Sequence, residues 1–272
     1  MSANDPAVHP TAVVHPGARL APGVRVGPHC VVDEHVVLGP DTVLESHVRL
    51  TGWTEIGAGN RLSPFVCIGG EPQDLGYQGE ATRITIGDRN VFREFATVHR
   101  ATVKEERLTS IGSDNYFMAA SHVAHDCRVG NRTIFLHQGT LGGHVAVGDC
   151  AMVGALSGVH QFCRIGRFAF IGGGSMITQD VLPFCRVVGQ RPTRVLGLNV
   201  IGLRRNGFSN ARIAALKDVF KIFFFSGIAT SQAIARIEAE CPPGEDRDEV
   251  LAFVRAAKRG VVKKAADAWD AE

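Results

Sequence analysis

The sequence is short of several features that would define its class. Its seven cysteines are odd in number and form no Cys-x-x-Cys pair, which argues against a disulfide framework or a zinc knuckle and favours a reducing cytoplasm. Lysine and arginine number 29 against 27 aspartates and glutamates, so the net charge is only +2. Nucleic-acid binders usually show a stronger basic bias, and we therefore expect no nucleic-acid partner.

Long hydrophobic runs are also missing. The longest strongly apolar stretch, Val219–Phe225, contains Lys221 and is far too short to span a bilayer. The first ten residues, MSANDPAVHP, have neither a basic n-region nor an apolar h-region, so we expect no signal peptide. The sequence therefore predicts no membrane insertion.

The sequence is rich in one pattern, a repeat of six residues. The repeated position is occupied by Val, Leu, Ile or Phe, with interruptions after residues 68 and 98. Its members are Val8, Val14, Leu20, Val26, Val32, Leu38, Leu44, Leu50, Ile56, Leu62, Ile68, Ile86, Phe92, Val98, Ile111, Phe117, Val123, Val129, Phe135, Leu141, Val147, Val153, Val159, Ile165, Ile171 and Ile177. A period of six fits neither a helix nor an alternating strand.

This period predicts a mainly β protein, a parallel β-helix with three short strands in each coil of eighteen residues. The repeated apolar residue points inward, and four residues later the coil needs a small residue, which explains Cys30, Cys127 and Cys163 as interior fillers. Glycine directly after the apolar residue, as in Val26-Gly27, suits a tight corner.

Two interruptions, Gly69–Arg83 and Arg100–Ser110, mark excursions of the chain from the β-helix. The second is charged at its tip, from Lys104 to Arg107. Long insertions that break a strict repeat are often functional, and tolerated surface loops are the equally weighted alternative.

The repeat ends near Pro183, and residues 184–208 look irregular. From there the pattern becomes helical, with Ser209 or Asn210 as the cap of the first helix. Gly227 ends that helix, and two more helices are expected at about 230–240 and 246–259. We predict two domains, a β-helix catalytic domain at 1–190 and a small helical domain at 191–272 that covers the last coils.

Most of the chemistry-bearing residues fall in one sector of the β-helix. Residues eighteen apart stack at roughly 4.8 Å, so His125 lies beneath Gly143, and Asp126 lies beneath His144. Gly143 keeps space open around the ring atoms. The sector spans three consecutive coils and contains His122, His125, Asp126, His144, His160 and Gln161. Allowing for the second excursion, His99 lies one coil below.

A lone histidine at a strand corner is usually a satisfied polar residue, but this clustering indicates a site. Neutral histidine is the commonest metal ligand, and trimeric hexapeptide carbonic anhydrases hold zinc with histidines on a β-helix. Alternatively, one histidine is a general base and the others bind a polar substrate. Asp126 beside His125 favours the base only mildly, because a carboxylate also orients a metal-bound histidine.

Several motifs resemble those of the hexapeptide acyltransferases that act on UDP-N-acetylglucosamine at the start of lipid A biosynthesis. They are His122–Asn131 (HVAHDCRVGN), Val159–Cys163 (VHQFC), Gln73–Leu75 (QDL), Ile86–Asn90 (IGDRN) and Gly207–Ser209 (GFS). The resemblance covers nearly the whole chain. It implies a left-handed β-helix, a homotrimer with sites between subunits, and acyl transfer from acyl carrier protein to the sugar 3-hydroxyl. It implies no metal and no cofactor. A 3-amino UDP-sugar stays open as the acceptor.

The resemblance also implies roles for individual residues. His125 corresponds to the general base and Asp126 to the residue that orients it. The positions expected to contact the sugar are Asp74, His122 and His144. Those expected near the nucleotide sugar or the acyl group are Gln73, His160 and Gln161. Gly173 corresponds to the position that sets acyl length, and Asn199, Arg204 and Arg205 are candidates for holding uracil or phosphate.

Three positions depart from the family pattern. Gly76 stands where the family commonly has lysine, Ile201 where it usually has glutamate, and Asn206 where it usually has arginine. These departures leave the expected chemistry intact and concern the contacts with the nucleotide sugar.

Overall fold

The computed structural model describes residues 5–263, which contain 28 strands and four helices. Most strands are only two residues long, and they form three sheets that are the faces of a left-handed parallel β-helix. The fold class predicted from the repeat is confirmed.

Through β26, each sheet takes every third strand of the chain, and β27 and β28 then extend the first sheet. The first sheet consists of β1 (Ala7–Val8), β4 (Arg25–Val26), β7 (Val43–Leu44), β10 (Arg61–Leu62), β13 (Val91–Phe92), β16 (Tyr116–Phe117), β19 (Ile134–Phe135), β22 (Met152–Val153), β25 (Phe170–Ile171), β27 (Cys185–Val188) and β28 (Arg194–Leu198). The second consists of β2 (Val13–Val14), β5 (Val31–Val32), β8 (Arg49–Leu50), β11 (Cys67–Gly70), β14 (Thr97–His99), β17 (His122–Val123), β20 (Thr140–Leu141), β23 (Gly158–Val159) and β26 (Met176–Ile177). The third consists of β3 (Arg19–Leu20), β6 (Val37–Leu38), β9 (Trp53–Ile56), β12 (Arg83–Ile86), β15 (Leu108–Ile111), β18 (Arg128–Val129), β21 (Ala146–Val147) and β24 (Arg164–Ile165).

The register between coils follows the predicted period. A buried ladder of side-chain hydrogen bonds shows it, because Asn115 bonds to Thr133 across a separation of 18 residues. The same ladder spans 30 residues from Asn60 to Asn90, across the first excursion, and 25 from Asn90 to Asn115, across the second. Both excursions therefore leave the β-helix and return to it with the inner ladder preserved, apart from a shift of register at Gly69 between β11 and β14.

The interior of the β-helix is filled by the repeated apolar residues. Phe92, Phe117 and Phe135 stack in one column with ring centroids 4.6 and 4.8 Å apart. Cys30 and Cys163 are fully buried, as expected of small interior fillers. This continuous core is what a parallel stack of two-residue strands needs for stability.

Glycine has a different role from the one expected at the corners. The positive φ angles at the corners belong mostly to other residues, among them Asp126 (φ 59°), His144 (φ 61°) and Phe162 (φ 64°). At Gly27 a Cβ atom would lie 2.2 Å from the carbonyl oxygen of Glu45 in the next coil. Glycine is therefore needed there for close approach of two coils rather than for the turn conformation.

Residues 184–208, expected to be irregular, form regular structure. Strand β27 continues the first sheet in parallel, and β28 folds back on it in an antiparallel hairpin. A short helix, α1 (Val200–Arg205), follows. The expectation was wrong because the hexapeptide register ends at Pro183 while pairing with the last coil continues. The predicted boundary at residue 190 lies inside this hairpin, and the division into two domains stays a prediction.

Three longer helices follow: α2 (Asn210–Phe225), α3 (Thr230–Glu240) and α4 (Glu245–Arg255). Ser209 caps α2, because its hydroxyl accepts the backbone N–H of Arg212 at 3.2 Å. Helix α4 ends four residues earlier than predicted. Each helix in the described part of the chain is too short or too polar to cross a membrane.

The helices cover the last coils on the side of the third sheet. Arg167 bonds to Asp246 at 3.0 Å and also to Glu249 of α4. Arg164 lies with its guanidinium carbon 4.1 Å from the centre of the Phe253 ring. These contacts hold α4 against the last coils, while the edge of β24 itself is covered by Val181, which pairs with Ile165.

Candidate active site

The histidine sector lies at the corner where the second sheet turns toward the third. His99 ends β14, and His122 begins β17, directly above Thr97 in the register. His125 and Asp126 form the corner that follows β17, and the N–H of His144 bonds to the carbonyl of His125 at 3.0 Å. The repeat thus brings these side chains together as predicted.

His125 is held by its neighbour in the chain. Its Nδ1 lies 2.8 Å from Oδ2 of Asp126, and both residues are buried, with 8% and 3% of their surfaces exposed. A carboxylate at this position accepts the Nδ1–H hydrogen and fixes the tautomer in which Nε2 carries a lone pair. The arrangement is that of a general base and its orienting group.

Asp126 is itself fixed by the second excursion. The backbone N–H and the hydroxyl of Thr102 donate to Oδ2 at 2.9 and 2.8 Å, and the N–H of Asp126 donates to the Thr109 hydroxyl at 2.8 Å. Burial raises the pKa of Asp126, but the hydrogen bonds from His125 and Thr102 outweigh it and hold the pKa below its usual value. The carboxylate is therefore ionised at neutral pH.

Gly143 makes room for the imidazole ring of His125. A Cβ atom on residue 143 would lie 2.4 Å from Cε1 and 2.7 Å from Nε2 of His125. No side chain fits at this distance, so glycine is required for the observed ring position, as the stacking of residues 125 and 143 predicted.

His144 forms the upper wall of the site. Its ring is stacked on Phe162 at 4.4 Å and stands edge-on to His125 at 5.2 Å. Its Nε2 is 3.7 Å from Oδ2 of Asp126, and its Nδ1 is 3.5 Å from a carboxylate oxygen of Glu105 in the second excursion. The ring nitrogens of His144 therefore face acidic groups on both sides.

His122 and His99 form the lower wall. Nδ1 of His122 is 2.7 Å from the Thr97 hydroxyl. The rings of His122 and His99 meet edge to face, with their centroids 4.8 Å apart. Burial, reinforced by the charges of His99 and His125, lowers the pKa of His122 to about 4. Burial and His125 also lower the pKa of His99. His122 is therefore a neutral hydrogen-bonding group at physiological pH.

The first excursion carries Gln73 and Asp74. Asp74 is near enough to His125 for their charges to interact, and its pKa is lowered chiefly by a hydrogen bond from Lys104 and by one from the N–H of Gly76. Gln73 is exposed. Through Lys104, Asp74 is tied to the segment whose Thr102 holds Asp126, which places it at the mouth of the histidine site. Its contact with the sugar stays a prediction.

His160 and Gln161 lie in the same sector but higher in the stack, and both are exposed. Nδ1 of His160 is 3.1 Å from the carbonyl oxygen of Gln161. The described residues show no direct hydrogen bond from them to His125 or Asp126, and their contact with a substrate stays a prediction.

The remaining predicted residues lie elsewhere on the chain. Gly173 follows β25, at the corner between the first and second sheets. Asn199 caps α1 by accepting the N–H of Gly202 at 3.1 Å, and its amide donates to the Phe168 carbonyl at 2.9 Å. Arg205 borders a cavity of about 460 Å³ beside the first sheet, and Arg204 is exposed. Within one chain, these residues therefore lie away from the histidine site.

The geometry of the histidine site could also accommodate a metal ion. His125, Asp126 and His144 offer ligand atoms that all lie within 4.8 Å of one another. However, Oδ2 of Asp126 already receives the Thr102 hydrogen bonds and faces Nδ1 of His125. These contacts favour the ring-orienting role of the carboxylate.

Two threonines of the site were not anticipated from the sequence. Thr97 could have been found, because it lies one coil below His122 once the second excursion is counted. Thr102 could not, because it belongs to that excursion and has no place in the hexapeptide register. Only the fold of the excursion brings it to Asp126.

A β-helix of hexapeptide coils with a buried, carboxylate-oriented histidine at one corner defines the class, a hexapeptide-repeat acyltransferase. The family model described as UDP-N-acetylglucosamine O-acyltransferase, domain 2, matches residues 180–262. The chain is 48% identical to the acyl-[acyl-carrier-protein]–UDP-N-acetylglucosamine O-acyltransferase of Verminephrobacter eiseniae, over 79% of this chain and 83% of that protein. It is 44% identical to the enzyme of the same name from Syntrophobacter fumaroxidans, over 94% and 99%.

A solved structure agrees with these sequences. LpxA of Acinetobacter baumannii superposes with a TM-score of 0.90 at 39% identity, covering 94% of this chain and 99% of that one. The chain belongs to the UDP-N-acetylglucosamine O-acyltransferase family.

Proposed function

We propose that the protein transfers a 3-hydroxyacyl group from acyl carrier protein to the 3-hydroxyl of UDP-N-acetylglucosamine, the first step of lipid A biosynthesis. The observation that supports the proposal most directly is the buried pair of His125 and Asp126, 2.8 Å apart. Relatives that cover nearly the whole chain carry the name of this reaction.

In the proposed mechanism His125 acts first as a base and then as an acid. Its Nε2 takes the proton of the sugar 3-hydroxyl while the oxygen attacks the thioester carbonyl carbon. The tetrahedral intermediate then expels the thiol of the carrier protein, which takes the proton back from His125. Ionised Asp126 stabilises the imidazolium that forms between the two steps.

The walls of the site suit a sugar better than an apolar ligand. His122 is neutral over the working pH range, and Asp74 is an ionised acceptor at the mouth. Both can therefore bind hydroxyl groups without competing with His125 for its proton. We assign them, with His144, to the sugar, and Gln73, His160 and Gln161 to the nucleotide sugar or the acyl group.

We further propose that the active form is a homotrimer in the cytoplasm. Within one chain the cavity beside Arg205 and Asn199 is separated from His125 by the width of the third sheet. A neighbouring subunit can bring its own cavity to the histidine site, and cyclic symmetry would repeat this arrangement three times.

The proposed reaction is tested by incubating the purified protein with a panel of acyl carrier protein thioesters and UDP-N-acetylglucosamine. We expect O-acylated UDP-sugar as the product. A parallel reaction with the 3-amino analogue tests the alternative acceptor, and transfer to the amine alone would contradict the assignment. A chelator should leave the rate unchanged, whereas loss of activity with loss of zinc would favour a metal enzyme.

A further inference from the structure

One lysine of the second excursion reaches the mouth of the site. Nζ of Lys104 bonds to Oδ2 of Asp74, while Oδ1 of the same carboxylate accepts the N–H of Gly76 at 2.8 Å. Each carboxylate oxygen of Asp74 therefore has a hydrogen-bond donor that holds it in place. Only 16% of the Asp74 side chain is exposed, against 56% of that of Lys104.

The segment that carries Lys104 also holds the catalytic pair. The N–H of Lys104 donates to the Thr102 hydroxyl at 3.3 Å, and that hydroxyl donates to Asp126 at 2.8 Å. The next residue, Glu105, faces His144 and pairs with Arg128 at 3.6 Å. One short stretch therefore contacts the groups that orient the base and the group at the mouth.

The acidic groups around the mouth give the positive charge of Lys104 a role in substrate binding. Asp74, Glu105 and Asp126 are acidic, and the substrate proposed above carries a diphosphate. Without a cation next to Asp74, an ionised carboxylate at the mouth would repel that substrate and would be free to rotate away from the sugar. Residue 76, where a side chain could approach the same carboxylate, is glycine.

We propose that Lys104 is a positioning residue for the nucleotide sugar. Its ammonium fixes the Asp74 carboxylate toward the sugar hydroxyls and offsets its charge as the diphosphate approaches. The inference rests on the proposed function, and it gives the observed contact between the two excursions a role in binding the nucleotide sugar.

The test is the steady-state kinetics of Lys104→Met at saturating acyl carrier protein thioester. Methionine keeps the length of the side chain and removes the charge. We expect KM for UDP-N-acetylglucosamine to rise roughly tenfold, with kcat within about twofold of the wild type, because the contact is made in both the ground state and the transition state. The matched control is Glu106→Gln, an exposed residue of the same excursion, which should leave both constants unchanged.

Two further variants separate positioning through Asp74 from a general structural effect. In Asp74→Ala the additional change Lys104→Met should cause no further rise in KM. In Lys104→Met, the additional change Gly76→Lys should restore KM, because it returns an ammonium beside Asp74. The Cβ atom of residue 76 would lie 3.1 Å from Oδ1 of Asp74, so the carboxylate needs to shift by only a few tenths of an ångström. Lys104→Arg should also stay close to the wild type.

An unchanged KM in Lys104→Met overturns the inference. The proposed function still stands in that case, provided that the wild type is active. Independent, multiplying effects of Asp74→Ala and Lys104→Met also overturn it, as does the failure of both Gly76→Lys and Lys104→Arg to preserve binding. If the wild type transfers no acyl group to UDP-N-acetylglucosamine, the proposed function and this inference fall together.

Discussion

The base of this site depends on residues from two neighbouring coils and from the second excursion. Asp126 orients the ring of His125, Thr102 holds Asp126, and Gly143 leaves the space that the ring occupies. Each contact is short and buried, which limits the ring to one position. Preorganisation of this kind is what makes a positioned base effective.

Removal of the base should nearly abolish turnover without unfolding the protein. We expect His125→Ala to lower kcat by about 10²–10⁴-fold, the usual contribution of a positioned base. Asp126→Ala should lose less, because it acts through His125. Single-turnover rates and circular dichroism of the purified variants check this, and a near-normal rate in folded His125→Ala would remove His125 from the mechanism.

The neutral state of His122 should make the protein sensitive to acid. Its pKa is about 4 in the folded protein, against an ordinary value of about 6.5. The unfolded chain therefore takes up this proton first as the pH falls from about 6.5 toward 4, and stability falls with it. We expect a loss of about 2 kcal/mol from this group between pH 7 and pH 5.

The measurement for His122 is denaturant unfolding at pH 7 and pH 5, for the wild type and for His122→Gln. Glutamine does not titrate, so the variant should lose less stability than the wild type over this interval. Equal losses in both proteins would show that His122 takes up its proton at an ordinary pKa.

The contacts of the second excursion bear on whether it is a functional segment or a tolerated loop. It supplies the hydrogen bonds of Thr102 to Asp126 and the ion pair of Lys104 with Asp74. The sequence left the two interpretations equally weighted, and these contacts favour the functional one.

Two departures from the family pattern lie at helix α1, with Ile201 inside the helix and Asn206 at its C-terminal cap. Ile201 is 55% exposed and borders the cavity beside Arg205, together with Asn206. We expect the combined variant Ile201→Glu and Asn206→Arg to bind UDP more tightly, because the carboxylate can accept the N–H of uracil and the guanidinium can pair with the diphosphate. Restored binding should lower KM with little change in kcat.

Calorimetric titration with UDP measures the affinity of the charged double variant. The uncharged control carries Ile201→Gln and Asn206→Gln together. Unchanged or weaker UDP binding in the charged variant would mean that this chain recognises the nucleotide with other groups.

A second element, the corner between the first and second sheets, is expected to set acyl length. Ala119, His137, Ala155 and Gly173 stack there, as the bonds from Leu156 N–H to His137 and from Gly174 N–H to Ala155 show. The column covers roughly 14 Å by strand spacing, comparable to a long acyl chain. At Gly173 a Cβ atom would lie 3.3 Å from the carbonyl oxygen and 3.9 Å from the backbone nitrogen of Ala155.

We therefore predict that the wild type prefers a long 3-hydroxyacyl donor and that Gly173→Met prefers a shorter one. Each buried methylene is worth about 0.8 kcal/mol, so the loss of several should change the preference by orders of magnitude. Rates across a donor series of increasing length check both proteins. The same optimum in a folded methionine variant would remove Gly173 from acyl selection.

At the scale of the whole molecule, a site shared between chains has a direct test. His125→Ala and Arg205→Ala are each assayed alone at a UDP-N-acetylglucosamine concentration at which both are inactive, and then after coexpression. In a cyclic trimer each mixed assembly regains one intact site, so random mixing should restore roughly a quarter of wild-type activity. No recovery in verified mixed trimers would place the complete site within one chain.

The β-helix and most of the histidine sector follow from the amino-acid sequence alone. A strict period of six predicts how the apolar residues are buried and which residues stack, including His125 with Gly143. These relations are local to neighbouring coils, so counting residues is sufficient to find them.

The tertiary structure decided what lies outside that register. The excursions have no period, so only their fold could bring Thr102 to Asp126 and Lys104 to Asp74. The hairpin of β27 and β28 likewise arises from pairing with the last coil after the repeat has ended. Contacts between segments distant in sequence depend on the path of the whole chain, and no local pattern records that path.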